Sequence, residues 1–267
     1  WGDAREGRAD RDDLGEVWMA AQRATPNAAR YNMGVSTPAS RVEPELAFAG
    51  GWSAATLAAA LDAAVRAPGR WIASAVGVHE AGATDALELA FAWSAGAAWL
   101  RAAAAAGVEA DPARLLFVAC TGRDFFGSIA RFRALRAGWA AIAQASGLAP
   151  HLELHVAASI TTMTTAQPWT NLVRGTVEVS AAILGGADVV MPRGHETPVG
   201  AGYESTRLAL NTAHVVLDES QLGWPADAAA GSGAIDGLTQ AVFDAGWALF
   251  QAAEAAGGLA AFLPGGP

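Results

Sequence analysis

Residues 114–146 read RLLFVACTGRDFFGSIARFRALRAGWAAIAQAS. A short apolar run, Leu115 to Ala119, passes through Thr121 and Gly122 into a longer, Ala-rich stretch. There Phe125, Ile129, Phe132, Leu135, Trp139 and Ile142 recur every three or four residues, the spacing of one apolar stripe along a helix. Asp124 stands where a carboxylate caps the first amides, and Gly147 stands where a helix stops. Arg131, Arg133 and Arg136 fall mostly off the stripe and are expected to face solvent or a partner. The stretch therefore reads as strand, turn and helix, with the helix packed on a sheet by one face.

The same unit recurs along the chain. Short apolar runs lie at 30–36, 71–78, 114–119, 152–158 and 188–191, with a weaker sixth near 228–233. Longer stretches with helical periodicity lie at 53–67, 84–106, 124–146, 169–184, 205–219 and 237–256. Strands alternating with helices predict an α/β fold, a parallel sheet with helices outside it. Ligands of such folds gather at the C-terminal ends of the strands, so the loops after Ala119, Ala158 and Met191 are the predicted ligand-facing segments. Residues 1–28 mix charge with Ala and Gly, as a linker or an external helix does. Residues 29–260 form the main domain, and 261–267 a tail.

Composition narrows the function. Apolar residues make up 52% of the 267, enough for a large core, while charged residues make up only 16%. That scarcity of charge predicts a surface covered in part by another chain. The net charge is −9, and all 17 basic residues are Arg. An acidic chain without a basic tract is a poor nucleic-acid binder. Without Lys there is neither Schiff-base chemistry nor a Walker-type phosphate loop. A lone Cys120 excludes an intrachain disulfide and a four-thiolate metal site. The longest apolar stretch, 89–100, falls well short of the ~20 residues of a membrane span, and the first residues carry no apolar signal core. The expectation is a cytoplasmic protein that does not enter a membrane.

Two local patterns could carry chemistry. In His151-Leu152-Glu153-Leu154-His155, strand alternation puts both imidazoles and the carboxylate on one face, a set that could hold zinc or iron. The bland alternative is that His155 faces a pocket while His151 sits near the edge. His79 ends the run 71–78, where an imidazole serves either in acid–base work or as a hydrogen-bonded structural residue. Cys120 has no neighbouring base and reads as a small buried residue.

Several segments, in order, resemble the methylmalonyl-CoA mutase family. They are His79-Glu80-Ala81-Gly82-Ala83-Thr84-Asp85-Ala86-Leu87-Glu88-Leu89-Ala90, Asp124-Phe125-Phe126 with Arg133-Ala134, Pro168-Trp169-Thr170-Asn171-Leu172-Val173-Arg174, Leu184-Gly185-Gly186-Ala187-Asp188, and Asn211-Thr212 with Asp218-Glu219-Ser220. The turn from Ala226-Asp227 to Gly233 and the helix over 248–258 complete the set, which covers about residues 70–260. The resemblance implies a (β/α)8 barrel of the TIM type, here with a short N-terminal half. It also implies coenzyme B12-dependent isomerisation of methylmalonyl-CoA and succinyl-CoA, with the acyl-CoA in the barrel lumen and a cobalamin domain over the mouth.

The departures from that family shape the functional expectation. Catalytic members carry a Tyr-His pair where this chain has Val76 and Gly77, and neither of these can donate a proton. His79 occupies a nearby Gln position, expected on the same strand face as Gly77. Arg114 is kept from the family's Arg-Leu-Ser, but the Ser is Leu116. His155 and Ser159 persist from His-Cys-Gln-Thr-Ser-Gly, while the Gln has become Ala157. The His of the later Gly-Gly strand is Met191. The cobalt-ligating Asp-x-His-x-x-Gly sequence occurs nowhere in the 267 residues. The resemblance thus implies the family's small, noncatalytic subunit. It would bind no cofactor alone and would pair as a heterodimer with a catalytic large subunit that holds adenosylcobalamin. His79, Arg114, His155 and Ser159 would be remnants of an acyl-CoA site. Two other readings stay open: a divergent acyl-CoA mutase chain with His79 or His155 as proton donor, and a metal-dependent barrel enzyme using His151, Glu153 and His155.

Overall fold

The structure, a computed structural model, describes residues 53–262. The expected strand at 30–36, the segment 1–28 and the last residues of the expected tail lie outside the described residues. Four parallel strands, β1 (Trp71–Ser74), β2 (Leu115–Cys120), β3 (Glu153–Ala157) and β4 (Val189–Met191), pair in the order β1-β2-β3-β4. Each neighbour in the sheet is the next strand in the chain, the sequential order of a βα barrel wall. The helices are α1 (Ala54–Arg66), α2 (Val76–Glu80), α3 (Asp85–Ala106), α4 (Phe125–Ala145), α5 (Pro168–Leu184), α6 (Tyr203–His214) and α7 (Gly233–Ala255).

The local signals around α4 act as expected. Asp124 Oδ1 accepts from the Gly127 amide at 2.9 Å, and Gly147 adopts φ +73°, which an L side chain rarely tolerates. Strand alternation then sorts the sheet. Trp71, Ala73, Leu115, Phe117, Leu154, Val156 and Val190 join the core against α3 and α4. Helix α7 packs over α3 and α4 from outside, making a third layer. This explains why α3 is apolar all round: from Glu88 to Trp99 every residue is buried.

Two glycines set the spacing between α3 and α4. A Cβ at Gly138 would stand 2.3 Å from Trp93 Cζ2, and one at Gly96 would stand 2.7 Å from Trp139 Cζ3. Each helix thus seats the other's indole on a bare backbone. Both indole N–H groups are spent on carbonyls, Trp93 on Leu135 (3.0 Å) and Trp139 on His151 (2.8 Å).

Three expectations are corrected. The run 71–78 is not one strand. Ala75 leaves the extended region (φ −113°, ψ 11°), and the His79 amide bonds back to the Ala75 carbonyl at 3.0 Å, opening α2. Val76 and Gly77 therefore lie on a helical turn. Residues two apart on a helix point to different sides, so Gly77 and His79 do not share a face. Second, Arg131, Arg133 and Arg136 face neither solvent nor partner. They are buried, and acids pull them inward: Asp85 and Glu88, Asp227 and Asp236, and Asp188. Third, 228–233 is turn leading into α7, not strand. The stretch 205–219 is helical as expected, α6 running directly into a π-helical turn, Val215–Glu219.

Candidate functional site

Parallel strands deliver their C-terminal ends to one rim, and a buried polar network forms there. His79 arrives on α2, Glu88 on the first turn of α3, Thr121 and Ser159 just beyond β2 and β3, and Glu178 from α5. His79 Nδ1 lies 2.8 Å from Glu88 Oε1, and Nε2 lies 3.0 Å from Ser159 Oγ. Glu88 also receives Arg131, which reaches the Cys120 carbonyl and, at 2.9 Å, Asp85. A carboxylate only accepts, so Nδ1 donates to Glu88, while Nε2 and the Ser159 hydroxyl hydrogen-bond each other. Ser159 Oγ in turn accepts from the Thr161 amide at 3.1 Å and faces Thr161 Oγ1 at 2.7 Å.

The order serine, imidazole, carboxylate is that of an acyl-transfer relay. Its surroundings remove that use. Ser159 has no exposed surface, and its oxygen is fully engaged. Beside it, burial pushes the Cys120 thiol up to about 12, so it is not a thiolate at neutral pH. Glu178 accepts from the Ser159 amide (2.7 Å), Thr121 Oγ1 (3.1 Å) and Thr162 Oγ1. A second buried imidazole, His195, stacks under Trp169 at 4.5 Å and meets Ser205 Oγ at 3.2 Å.

The other expected site residues lie elsewhere. Arg114 sits at the opposite, N-terminal end of β2. Its guanidinium lies 4.4 Å over the Trp71 ring and donates to the carbonyls of Gly69 (3.0 Å) and Ala67 (2.7 Å). His155 stands on the sheet face turned away from α3 and α4, between Val118 and Val189 in the register. Its Nε2 meets Glu153 Oε1 at 2.9 Å, and Arg70 holds the other Glu153 oxygen at 2.6 Å. The hydrogen bond from His155, helped by Arg70, brings the Glu153 carboxyl down to about 2 against the opposing effect of burial. Strand alternation thus pairs Glu153 with His155, and His151 lies outside β3. Among the described residues, no three His, Cys, Asp or Glu side chains converge to hold a metal ion. The structure brings His79 and Ser159 together and leaves Arg114 and His155 apart from them.

Sequence reasoning missed Glu88, Glu178, Thr121 and the inward role of Arg131. A signal existed for both acids: Glu88 lies between Leu87 and Leu89, and Glu178 between Val177 and Val179, inside helical stretches.

The residues at the rim do not fit a cobalt ligand. Both nitrogens of His79 are occupied, and His195 is buried beneath Trp169.

The family model for methylmalonyl-CoA mutase matches residues 69–266. The chain is 38% identical over 194 residues to the methylmalonyl-CoA mutase small subunit of Streptomyces virginiae, covering 70% of this chain and 31% of that protein. It is 34% identical over 188 residues to the small subunit of Propionibacterium freudenreichii subsp. shermanii (68% of this chain, 30% of that protein). It is 32% identical over 194 residues to the methylmalonyl-CoA mutase of Escherichia coli (70% and 27%). The chain spans about a third of the length of these relatives. With the parallel βα array and this match over most of its length, the chain belongs to the methylmalonyl-CoA mutase family of coenzyme B12-dependent isomerases.

Proposed function

We propose that this chain is part of the small, noncatalytic subunit of a methylmalonyl-CoA mutase. In the cytoplasm it supports a catalytic large subunit that holds adenosylcobalamin and interconverts methylmalonyl-CoA and succinyl-CoA. One observation carries the reading: the rim histidine is closed on its own neighbours. His79 is bonded to Glu88 and Ser159, and Val76 and Gly77 lack any side-chain donor, so none of these three described residues offers a free proton to a thioester carbonyl. The names of the small-subunit relatives support the same assignment.

The test is co-expression with a family large subunit, followed by mass determination of the purified complex. A stable one-to-one assembly is expected, and adenosylcobalamin added to this chain alone should leave the cofactor spectrum unchanged. Monomeric behaviour of both chains, or saturable cofactor binding by this chain alone, refutes the assignment.

A second reading rests on His155, which lies between Val118 and Val189 in the register and bonds Glu153 on the sheet face turned away from α3 and α4. A divergent chain with its own acyl-CoA site would use it. Tight acyl-CoA binding by this chain alone, lost in His155→Ala, would favour that reading.

A further inference from the structure

The sheet face turned away from α3 and α4 falls into rows set by the register. Cys120, Ala157 and Met191 make the row at the C-terminal strand ends, and Ser74, Val118, His155 and Val189 the row beneath it. In the lower row Val118 and His155 are partly exposed. Directly above them Cys120 has no exposed surface and Ala157 is buried. The packed helices α3 and α4 lie on the other face, so this upper row takes its cover from the rim.

The segments that leave the two outer strands reach across it. Glu80 ends α2, which follows β1, and Arg193 stands just past β4. Strands β2 and β3 separate the two, yet Arg193 Nη2 donates to Glu80 Oε1 at 2.9 Å, with about a quarter of each side chain exposed. The pair therefore crosses the ends of β2 and β3. Both charges also act on the Cys120 thiol. Burial does most to push that thiol up to about 12, Arg193 then draws it down and Glu80 raises it, ahead of Arg131 and Glu88. We propose that Arg193 and Glu80 form a strap across the C-terminal mouth of this sheet face and close that side to ligands.

The segments that carry the pair are fixed without it. His79 ties α2 to Glu88 and Ser159. Asn171 Nδ2 donates to the His195 carbonyl at 2.9 Å, and Ser205 Oγ accepts from the Glu196 amide at 3.0 Å, which together hold the loop after β4. The moving parts are thus the two long side chains. Parting them breaks one partly solvated ion pair and takes nothing from the core, so the strap opens readily. Its charges reach solvent, so salt weakens it. The strap governs access to the face and not the chemistry on it, and it holds whatever the subunit role of the chain.

Cys120, the one cysteine of the chain, reports the strap. Beneath the closed strap it is buried and protonated, and once uncovered it gains the reactivity of an ordinary thiol. On the full chain at about pH 8, its alkylation by iodoacetamide, a neutral reagent, is timed by mass spectrometry. Glu80→Ala and Arg193→Ala should each speed it by roughly two- to fivefold. The double Ala variant should gain little more, because either loss releases both side chains. Glu80→Arg combined with Arg193→Glu should restore protection. Equal rates in all of these chains, or gains that multiply in the double Ala variant, overturn the strap. Hydrogen exchange at the Phe117 amide, inside β2, should stay the same throughout. A matching rise there would trace the alkylation to global unfolding and overturn the strap. The unmodified chain supplies a test that needs no variant. Sodium chloride at about 1 M should raise its alkylation rate relative to that of 2-mercaptoethanol, and an unchanged ratio overturns the strap.

Discussion

The two faces of the sheet have been built differently. Toward α3 and α4 the strands present Trp71, Phe117, Leu154 and Val156, which interlock with Trp93, Trp99, Phe132 and Trp139 beneath a further helix. Toward the other side they present Ile72, Val118, Glu153, His155 and Met191, partly exposed among the described residues, beside the buried Ser74, Leu116, Cys120, Ala157 and Val189. The covered face is over-determined: indoles seated on glycines, N–H groups spent on carbonyls, arginines spent on acids. The other face carries one ion-paired trio, Arg70–Glu153–His155, on an apolar floor. The contrast teaches that the fold is held by its outer layers, so the face a barrel turns toward its lumen is free to lose chemical groups without loss of the scaffold.

Four substitutions sharpen or break that contrast. The largest effect is expected from Trp93→Ala, which removes a fully buried indole packed on Phe243, Trp247 and Phe250. Urea unfolding should show a loss of about 3–5 kcal/mol. Next, Arg131→Met leaves Glu88 buried with His79 alone and should cost about 3 kcal/mol. Gly138→Ala drives a methyl into Trp93 and should cost about 1–3 kcal/mol by the same assay. On the other face, His155→Ala should cost less than about 1 kcal/mol at neutral pH. A cost there equal to that of Trp93→Ala would erase the difference between the faces.

The same trio predicts a pH dependence. Glu153 is held at about 2 against an ordinary 4.5, so its pairing contributes stability above 4.5 and loses it as pH falls toward 2. Removing His155 should move the acid-unfolding midpoint to higher pH, measured by circular dichroism.

What the sequence revealed follows the range of the interactions. The helix start at Asp124 and stop at Gly147 depend on neighbours within a turn, and both could be read directly. The parallel sheet also followed from the alternation of runs, whereas a sequential strand order was implied only by the family resemblance. The inward course of the three arginines could not be read locally, because Arg131 finds its acids 43 and 46 residues away and Arg133 finds Asp227 94 residues away. The chain's turn at Ala75 was hidden for a related reason: 71–78 is mostly apolar, and such a short run does not mark where a strand gives way to a helical turn. In the candidate site, His79 and Ser159 were visible as chemical types. Their closure on each other was not, because it joins positions 80 apart.

The most direct test of the central claim is formation of succinyl-CoA from methylmalonyl-CoA with adenosylcobalamin present, by this chain alone and by its complex with a catalytic large subunit. Turnover is predicted in the complex and absent with the chain alone, and it should persist in a complex carrying His155→Ala. Conversion of substrate by the isolated chain, or loss of the complex's turnover with His155→Ala, would contradict a scaffold that takes no part in the chemistry.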